Sequence, residues 1–117
     1  MMQRTNYHAG LAAEQSVALQ YENAGYEIAA RRYRSAAGEI DLIARRDQNL
    51  IFIEVKKSST HQRAAESLSH RQMKRIYASA AQYLGSQPAG QQTPSRFDVA
   101  LVDRSGQIEV LENAFAA

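Results

Sequence analysis

Two acidic residues, Asp41 and Glu54, lie in neighbouring strand-like segments that a short turn joins. A turn that pairs Arg46 with Asn49 places the two carboxylates directly opposite each other, with Cβ atoms about 4.5–5.5 Å apart. Opposed carboxylates repel, so the pair costs stability unless a positive group lies between them. Mg²⁺ is such a group, because it takes one or two carboxylates, keeps several waters and binds phosphate oxygens of a substrate. The spacing therefore predicts a Mg²⁺ site at Asp41 and Glu54, with Mn²⁺ as a substitute.

The same register decides which other side chains share a face of the hairpin. It pairs Ile43 with Phe52 and Glu39 with Lys56, so that Glu39, Asp41 and Ile43 point the same way. This face is apolar near the turn and charged farther away, and the apolar end indicates that another element covers it. The alternative is an exposed, salt-bridged hairpin in which Glu39 pairs with Lys56 and Asp41 with an arginine.

A third acid, Glu14, falls in the middle of the apolar arc of the first predicted helix. At about 100° per residue, Val17 and Tyr21 lie on the same arc. A buried charge without a partner is expensive. Glu14 therefore either pairs with an arginine at the edge of the core, Arg32 or Arg34, or reaches the predicted metal site. Three acids that converge from separate elements are typical of a metal site.

Basic residues near the acidic hairpin are candidates for contacts with nucleic-acid phosphates. Arg32 and Arg34 belong to an arginine run just before the hairpin, and Arg71 and Lys74 lie on the early turns of the second predicted helix. Arginine accounts for 11 of the 14 basic residues, and its planar guanidinium suits phosphate recognition. The alternative is an ordinary solvated surface. Gln72 points away from the apolar arc of the second helix and is a weaker site candidate.

Composition narrows the class of protein and its compartment. With 117 residues, 44% of them hydrophobic and 22% charged, the chain has the length and apolar content of one globular domain over residues 1–117. The sequence contains no cysteine, which excludes disulfides, cysteine zinc sites and thiol catalysis and favours a reducing compartment. No stretch approaches about 18 consecutive apolar residues, and the N-terminus lacks the apolar core of a signal peptide. We expect a cytoplasmic protein without membrane contact.

Periodicity and turn residues predict the elements that position these side chains, in the order αβββαββ. A helical pattern covers residues 5–23, with Thr5 or Asn6 as N-cap, and a second covers residues 67–84. Strand patterns cover residues 26–33, 39–45, 49–56, 97–103 and 107–111. The link between the third and fourth strands is long enough for a right-handed parallel crossover. We therefore expect an α/β fold with a mixed central sheet flanked by helices.

The central hairpin resembles a known nuclease motif. Asp41 followed by Glu54-Val55-Lys56, with the helical Glu14 before them, is similar to the PD-(D/E)XK motif. The strings GEIDLIA at residues 38–44 and IFIEVK at residues 51–56 resemble the YraN-like family of small bacterial proteins. That family is described as predicted endonucleases related to archaeal Holliday-junction resolvases. The likeness runs nearly end to end, through residues 10–14, 24–26, 33–34, 81–84, 96–99 and 113–115.

The resemblance implies a restriction-endonuclease-like fold and a role for each residue of the motif. Asp41 and Glu54 would be the metal ligands, Lys56 would orient or activate the attacking water, and Glu14 would be a supporting acid. Glu39 matches the family block, and its role is open. The chain departs from the family at several candidate substrate contacts, among them Arg32, where the family often has asparagine.

The function expected from these features is a metal-dependent endonuclease that hydrolyses phosphodiester bonds of DNA, branched or otherwise structured. The alternative is a nucleic-acid-binding or adaptor protein that kept the scaffold with little or no catalytic activity. The opposed carboxylates and Lys56 favour the enzyme, because a pure binder has no need of them. RNA is an alternative substrate, and the relationship to resolvases suggests a homodimer.

Overall fold

The centre of the fold is a five-stranded mixed sheet with helices on both faces. The computed structural model describes the backbone of residues 2–114 and the side chains of residues 10–114. In chain order the elements are α1 (Met2–Asn23), β1 (Glu27–Arg34), β2 (Glu39–Arg46), β3 (Asn49–Lys57), α2 (His61–Glu66), α3 (His70–Leu84), β4 (Ser95–Val102) and β5 (Ile108–Leu111). A short 3₁₀ turn, Gly90–Gln92, lies between α3 and β4.

The strands follow one another across the sheet in chain order, from β1 to β5. β3 and β4 are parallel, since α2 and α3 carry the chain back along the sheet between them, and the other neighbouring strands are antiparallel. The prediction of a mixed sheet flanked by helices is confirmed. The arrangement is consistent with a restriction-endonuclease-like αβββαββ fold.

Between Leu42 and Arg46, the register of β2 on β3 is the one that the tight turn predicts; the predicted pairs Asp41/Glu54 and Glu39/Lys56 lie beyond the end of the ladder. Arg46 pairs with Asn49, and Ile43 pairs with Phe52. Asp47 in the turn has a φ of +56°, a left-handed conformation that aspartate tolerates better than most residues. Because a slip of one residue would turn every apolar side chain to the other face, the two buried faces hold this register.

Both faces of the sheet are covered. On one face, Val17 of α1 packs with Leu42 and Ile53 of the sheet. On the other face, Ile76 of α3 packs in a cluster with Phe52. Burial of a side chain of this size contributes about 1.5–3 kcal/mol, so the helices are held mainly by these contacts. None of the helices in residues 2–114 is long and apolar enough to cross a membrane.

The first helix starts earlier than predicted. α1 begins at Met2, so Thr5 and Asn6 lie inside the helix and the predicted N-cap there is wrong. The side chains of these two residues, and residue 115, lie outside the described part of the chain.

The second predicted helix, residues 67–84, corresponds to α3, which starts three residues later than predicted. A separate short helix, α2, precedes it and was not predicted. α2 ends at Glu66 and α3 begins at His70. Thr60 caps α2 and Ser69 caps α3, each accepting a backbone hydrogen bond three residues later. The apolar periodicity of α3 was recognisable, whereas the break depends on these two hydroxyl caps.

One predicted feature of the acidic hairpin is wrong: Glu39 does not share a face with Ile43. Ile40 packs in the same cluster as Ile43, on the α3 face, although residues three apart in a regular strand point in opposite directions. The alternation is interrupted at Asp41, which faces Arg32 of β1 in this register; Arg32 has a φ of +51°. Glu39 therefore points to the α1 face of the sheet.

Candidate active site

The acidic pair lies where β2 and β3 separate. The backbone pairing of the two strands ends at Leu42 and Ile53. Beyond it, the Val55 N–H donates to Asp41 Oδ2 at 2.8 Å, so a side-chain oxygen takes the place of a β2 carbonyl. This exchange ends the backbone ladder beside Asp41. We call the region around Asp41 and Glu54, where the two strands part, the acidic opening.

Glu54 is the most deeply buried acid of this opening, with 5% of its surface exposed. Lys56 Nζ lies 3.6 Å from Glu54 Oε2, and the side-chain amide of Gln72 donates to the same oxygen. Burial, together with the neighbouring Asp41 carboxylate, raises the pKa of Glu54 to about 9, and the Lys56 ammonium opposes this shift. Ionisation of Glu54 beside Asp41 is therefore unfavourable, and a further positive charge between the two acids would favour it.

Glu14 approaches the same opening from α1. Arg32 Nε donates to Glu14 Oε1 at 3.2 Å, which confirms one of the two partners considered from the sequence. Burial raises the pKa of Glu14, the carboxylates of Asp41 and Glu39 act in the same direction, and Arg32 lowers it. Glu14 is therefore both ion-paired and close enough to Asp41 for the two charges to repel.

The remaining charges of the hairpin pair differently from the exposed alternative. Glu39 lies 3.8 Å from the Nε of Arg34 on the neighbouring strand, and Lys56 pairs with Glu54. The Arg34 side chain is 81% exposed, so this pair is a surface contact. The Lys56 side chain is only 19% exposed, which excludes a fully solvated hairpin face.

The second group of predicted basic residues lies on the outer side of α3. Arg71 and Lys74 are exposed and border a shallow groove of about 420 Å³ with His70 and Arg75. The first turn of this helix also carries Gln72, whose amide contacts Glu54. The basic surface and the acidic opening are therefore neighbours through α3.

Gln72 is a stronger site residue than its helical phase predicts. The sequence Ser-His-Arg-Gln at residues 69–72 has the spacing of a capping box, S-x-x-Q, which sets the start of α3 at His70. With that start, Gln72 lies in the first turn, beside β3. The capping box identifies the first turn of α3, whereas the contact of Gln72 with Glu54 depends on the docking of α3 on the sheet.

An open cleft of about 580 Å³ adjoins the acidic opening on the α1 face. Glu14 and Asp41 line one part of it, and Lys57 and Arg104 are also among its lining residues. Neither of these cations was singled out from the sequence. Their positions follow from the parallel pairing of β3 and β4, which is not a local sequence feature.

The donor set at the opening fits a hard divalent cation that keeps most of its waters. In the described residues, no group of three or more histidine and acidic side chains is arranged to hold a metal ion. The available protein ligands are the carboxylates of Asp41 and Glu54, and Mg²⁺ needs only one or two. The raised pKa of Glu54 reflects the unfavourable burial and repulsion that a cation would relieve.

Comparison with known proteins gives a consistent family assignment. Residues 13–102 match the sequence profile described as "Uncharacterised protein family UPF0102". A UPF0102 protein of Cereibacter sphaeroides (strain KD131) is 56% identical over 117 residues, which is all of both chains. A UPF0102 protein of Ruegeria pomeroyi is 56% identical over 110 residues, covering 94% of this chain and 89% of its own.

A more distant relative, a UPF0102 protein of Azorhizobium caulinodans, is 47% identical over 106 residues, covering 91% of this chain and 81% of its own. The resemblance to the YraN-like family is thus confirmed at the level of the family. On the strength of the profile match and of relatives aligned along nearly their whole length, the chain belongs to the UPF0102 family.

Proposed function

We propose that this protein is a metal-dependent endonuclease of the PD-(D/E)XK type, which hydrolyses phosphodiester bonds of DNA. The observation that carries the proposal is the buried Glu54, held beside Asp41 and Lys56 at the point where β2 and β3 separate. A buried glutamate with a raised pKa, beside a second acid and a lysine, is costly for a structural element and useful for a catalytic one.

Asp41 and Glu54 would hold Mg²⁺ or Mn²⁺. When bound, the ion supplies positive charge to a phosphate oxygen and lowers the pKa of a coordinated water. The Val55 N–H fixes Asp41, and the Gln72 amide fixes Glu54, so the protein holds both carboxylates in place before the ligand arrives. Pre-positioned ligands reduce the reorganisation needed for binding and for reaction.

Lys56 serves the attacking water and the developing negative charge. Its ammonium lies 3.6 Å from Glu54 Oε2 and is largely shielded from solvent. In such a site a fixed positive charge interacts with a phosphorane-like transition state more strongly than it would in water. Glu14 and its partner Arg32 border the site and set the charge around Asp41.

Arg71 and Lys74, exposed on α3 beside Gln72, would contact the nucleic-acid backbone. Arg32 and Arg34 are ion-paired with Glu14 and Glu39, so any phosphate contact they make competes with these pairs. Branched or structured DNA is the proposed substrate and a homodimer is the proposed assembly; both rest on the family resemblance. The cytoplasm is the proposed compartment, which rests on the cysteine-free composition.

The alternative is a nucleic-acid-binding or adaptor protein with little catalytic activity, on DNA or RNA. One observation favours it: Glu14 is ion-paired with Arg32, so a metal ion would find the carboxyl groups of Asp41 and Glu54 rather than three acids. Cleavage assays separate the two functions.

The test uses purified protein with Mg²⁺ or Mn²⁺ and labelled linear duplex, single-stranded, flap and four-way-junction DNA, together with a structured RNA. We expect cleavage of at least one substrate by the wild type, and loss of most activity in Lys56→Ala with metal binding retained. Glu54→Gln should lose both activity and metal binding. Cleavage by a contaminating nuclease would persist in the preparations of both variants. Absence of cleavage at high protein excess, or equal rates for wild type and Lys56→Ala, would rule out the nuclease.

A further inference from the structure

The cleft on the α1 face lies at the carboxyl ends of two parallel strands. Residues 57–59 end β3 and follow it, and Arg104 comes shortly after β4; both segments line the cleft. Lys57 pairs with Val102 in the sheet, and the Ser58 N–H donates to the Val102 carbonyl at 3.0 Å. In α/β sheets, ligands bind in the crevice outside the carboxyl ends of parallel strands.

The two cations of the cleft, Lys57 and Arg104, have no ion-pair partner in the described part of the chain. Nor does either side chain form a hydrogen bond with a described residue, and both residues are exposed. Arg32, by contrast, is paired with Glu14 across the cleft. The cleft therefore has an acidic part at Glu14 and Asp41 and a basic part with available donors.

Ser58 and Ser59 add hydroxyl groups to the cleft lining, next to Lys57. Lysine, arginine and serine side chains are the usual donors to backbone phosphates of nucleic acids. The volume of about 580 Å³ falls within the range of small-ligand sites, roughly 300–1,000 Å³, and so admits part of a nucleotide strand.

A glycine in the middle of α1 keeps the other wall of the cleft open. Gly10 lines the cleft, and a Cβ atom at this position would meet no atom of the described residues within 4 Å. Glycine inside a helix costs about 0.5–1 kcal/mol relative to alanine. No described residue packs against this glycine, and it faces the cleft.

We propose that this cleft is a phosphate-binding subsite for the nucleic-acid strand, in which Lys57 and Arg104 bind a backbone phosphate adjacent to the scissile one. The inference rests on the proposed nuclease function, which places the scissile phosphate at Asp41 and Glu54. The strand then continues from the acidic opening along the α1 face, between Gly10 and the ends of β3 and β4. This path requires a nucleic-acid strand that can enter the open cleft.

The test measures binding of a short labelled single strand and of the matching duplex, in EDTA so that cleavage does not interfere. Lys57→Gln and Arg104→Gln, singly and combined, should weaken binding. The slope of log affinity against log salt concentration is negative. Each lost contact should reduce its magnitude by about 0.7 for the single strand and about 0.9 for the duplex. Arg63→Gln removes one exposed charge outside the cleft lining and should leave the slope nearly unchanged.

A second pair of variants tests the cleft without removing its cations. Gly10→Glu places a negative side chain in the cleft and should weaken binding, whereas Ala12→Glu adds the same charge to an exposed position of the same helix outside the cleft lining and should have a smaller effect. Melting temperatures confirm that all variants are folded.

The outcomes separate the inference from the proposed function. Wild-type binding with an unchanged slope in the Lys57/Arg104 double variant would overturn the subsite and leave the nuclease intact. No binding of any nucleic acid by the wild type at low salt would overturn both. Weaker binding and a lower slope in the cleft variants alone support the subsite, whether or not cleavage is found.

Discussion

The backbone N–H of Val55 donates to Asp41 Oδ2 at 2.8 Å, just past the last paired residues of β2 and β3. This hydrogen bond holds the carboxyl group of Asp41 against β3. Since Glu54 is the residue before Val55, the same contact keeps the two acids together. The sheet thus supports the acid pair with its own backbone, and the metal-free protein carries the cost of their repulsion.

Metal binding should relieve that cost. We expect Mg²⁺ or Mn²⁺ to raise the melting temperature, because the ion binds only the folded state; at a hundredfold excess over Kd the gain is about 2.7 kcal/mol. Asp41→Asn should remove most of this gain and stabilise the metal-free protein. Titration calorimetry checks the affinity directly, and equal metal affinity in the wild type and Asp41→Asn would contradict the site.

The metal-free protein should lose stability as the pH rises. The pKa of Glu54 is about 9 in the folded protein, whereas a glutamate in the unfolded chain titrates at about 4.3. Below the unfolded value both states are protonated; between the two values the unfolded state ionises freely and the folded state does not, so the free energy of unfolding falls.

Thermal melts in EDTA between about pH 5 and about pH 9 measure this dependence, because that range lies between the pKa of Glu54 in the unfolded chain and its pKa in the folded protein. Glu54→Gln should flatten the curve, because the amide does not titrate. Glu66→Gln changes an exposed glutamate and should keep the wild-type curve. Identical pH dependence in the wild type and Glu54→Gln would mean that Glu54 ionises normally.

The two arginines of β1 should differ in their effect on stability. Arg32→Ala leaves the half-buried Glu14 without its partner and should cost about 1–3 kcal/mol, part of which Glu14→Gln in the same chain should restore. Arg34→Ala breaks a pair whose arginine is 81% exposed, so its cost should stay below about 1 kcal/mol. Denaturant unfolding of the wild type and these three variants measures both costs, and equal losses in Arg32→Ala and Arg34→Ala would show that Glu14 does not depend on Arg32.

The basic surface of α3 should contribute to nucleic-acid affinity through phosphates alone. Arg71→Gln and Lys74→Gln should each weaken nucleic-acid binding, by the same factor whatever the nucleotide sequence. Each should also reduce the magnitude of the slope of log affinity against log salt concentration by about one unit. Fluorescence anisotropy over a range of salt concentrations gives the slope. If the slope does not change, these two residues are an ordinary solvated surface.

Much of the fold followed from local patterns. Alternating and periodic apolar residues, with the short turn at Asp47, predicted five strands and the β2/β3 register, because each depends on neighbours in the chain. The length of the link between β3 and β4 predicted the parallel crossover. The same locality explains the errors. The start of α3 depends on the Ser69 cap, and the face of Glu39 depends on the irregular backbone at Arg32 in a different strand.

The sequence by itself determined which residues form the acidic hairpin, since Asp41, Glu54 and Lys56 lie within one turn-linked unit. Only the tertiary structure decided their surroundings. Packing of α1 on the sheet selected Arg32 as the partner of Glu14, and the docking of α3 brought Gln72 to Glu54.

The cleft shows the same division most clearly. Gly10, Lys57 and Arg104 are far apart in the chain, and no local pattern connects them. They meet because α1 packs on one face of the sheet and because parallel pairing brings the carboxyl ends of β3 and β4 to the same edge. The sequence determines the chemistry of each side chain. The long-range contacts that bury the core determine which of these side chains lie close enough to bind the same ligand.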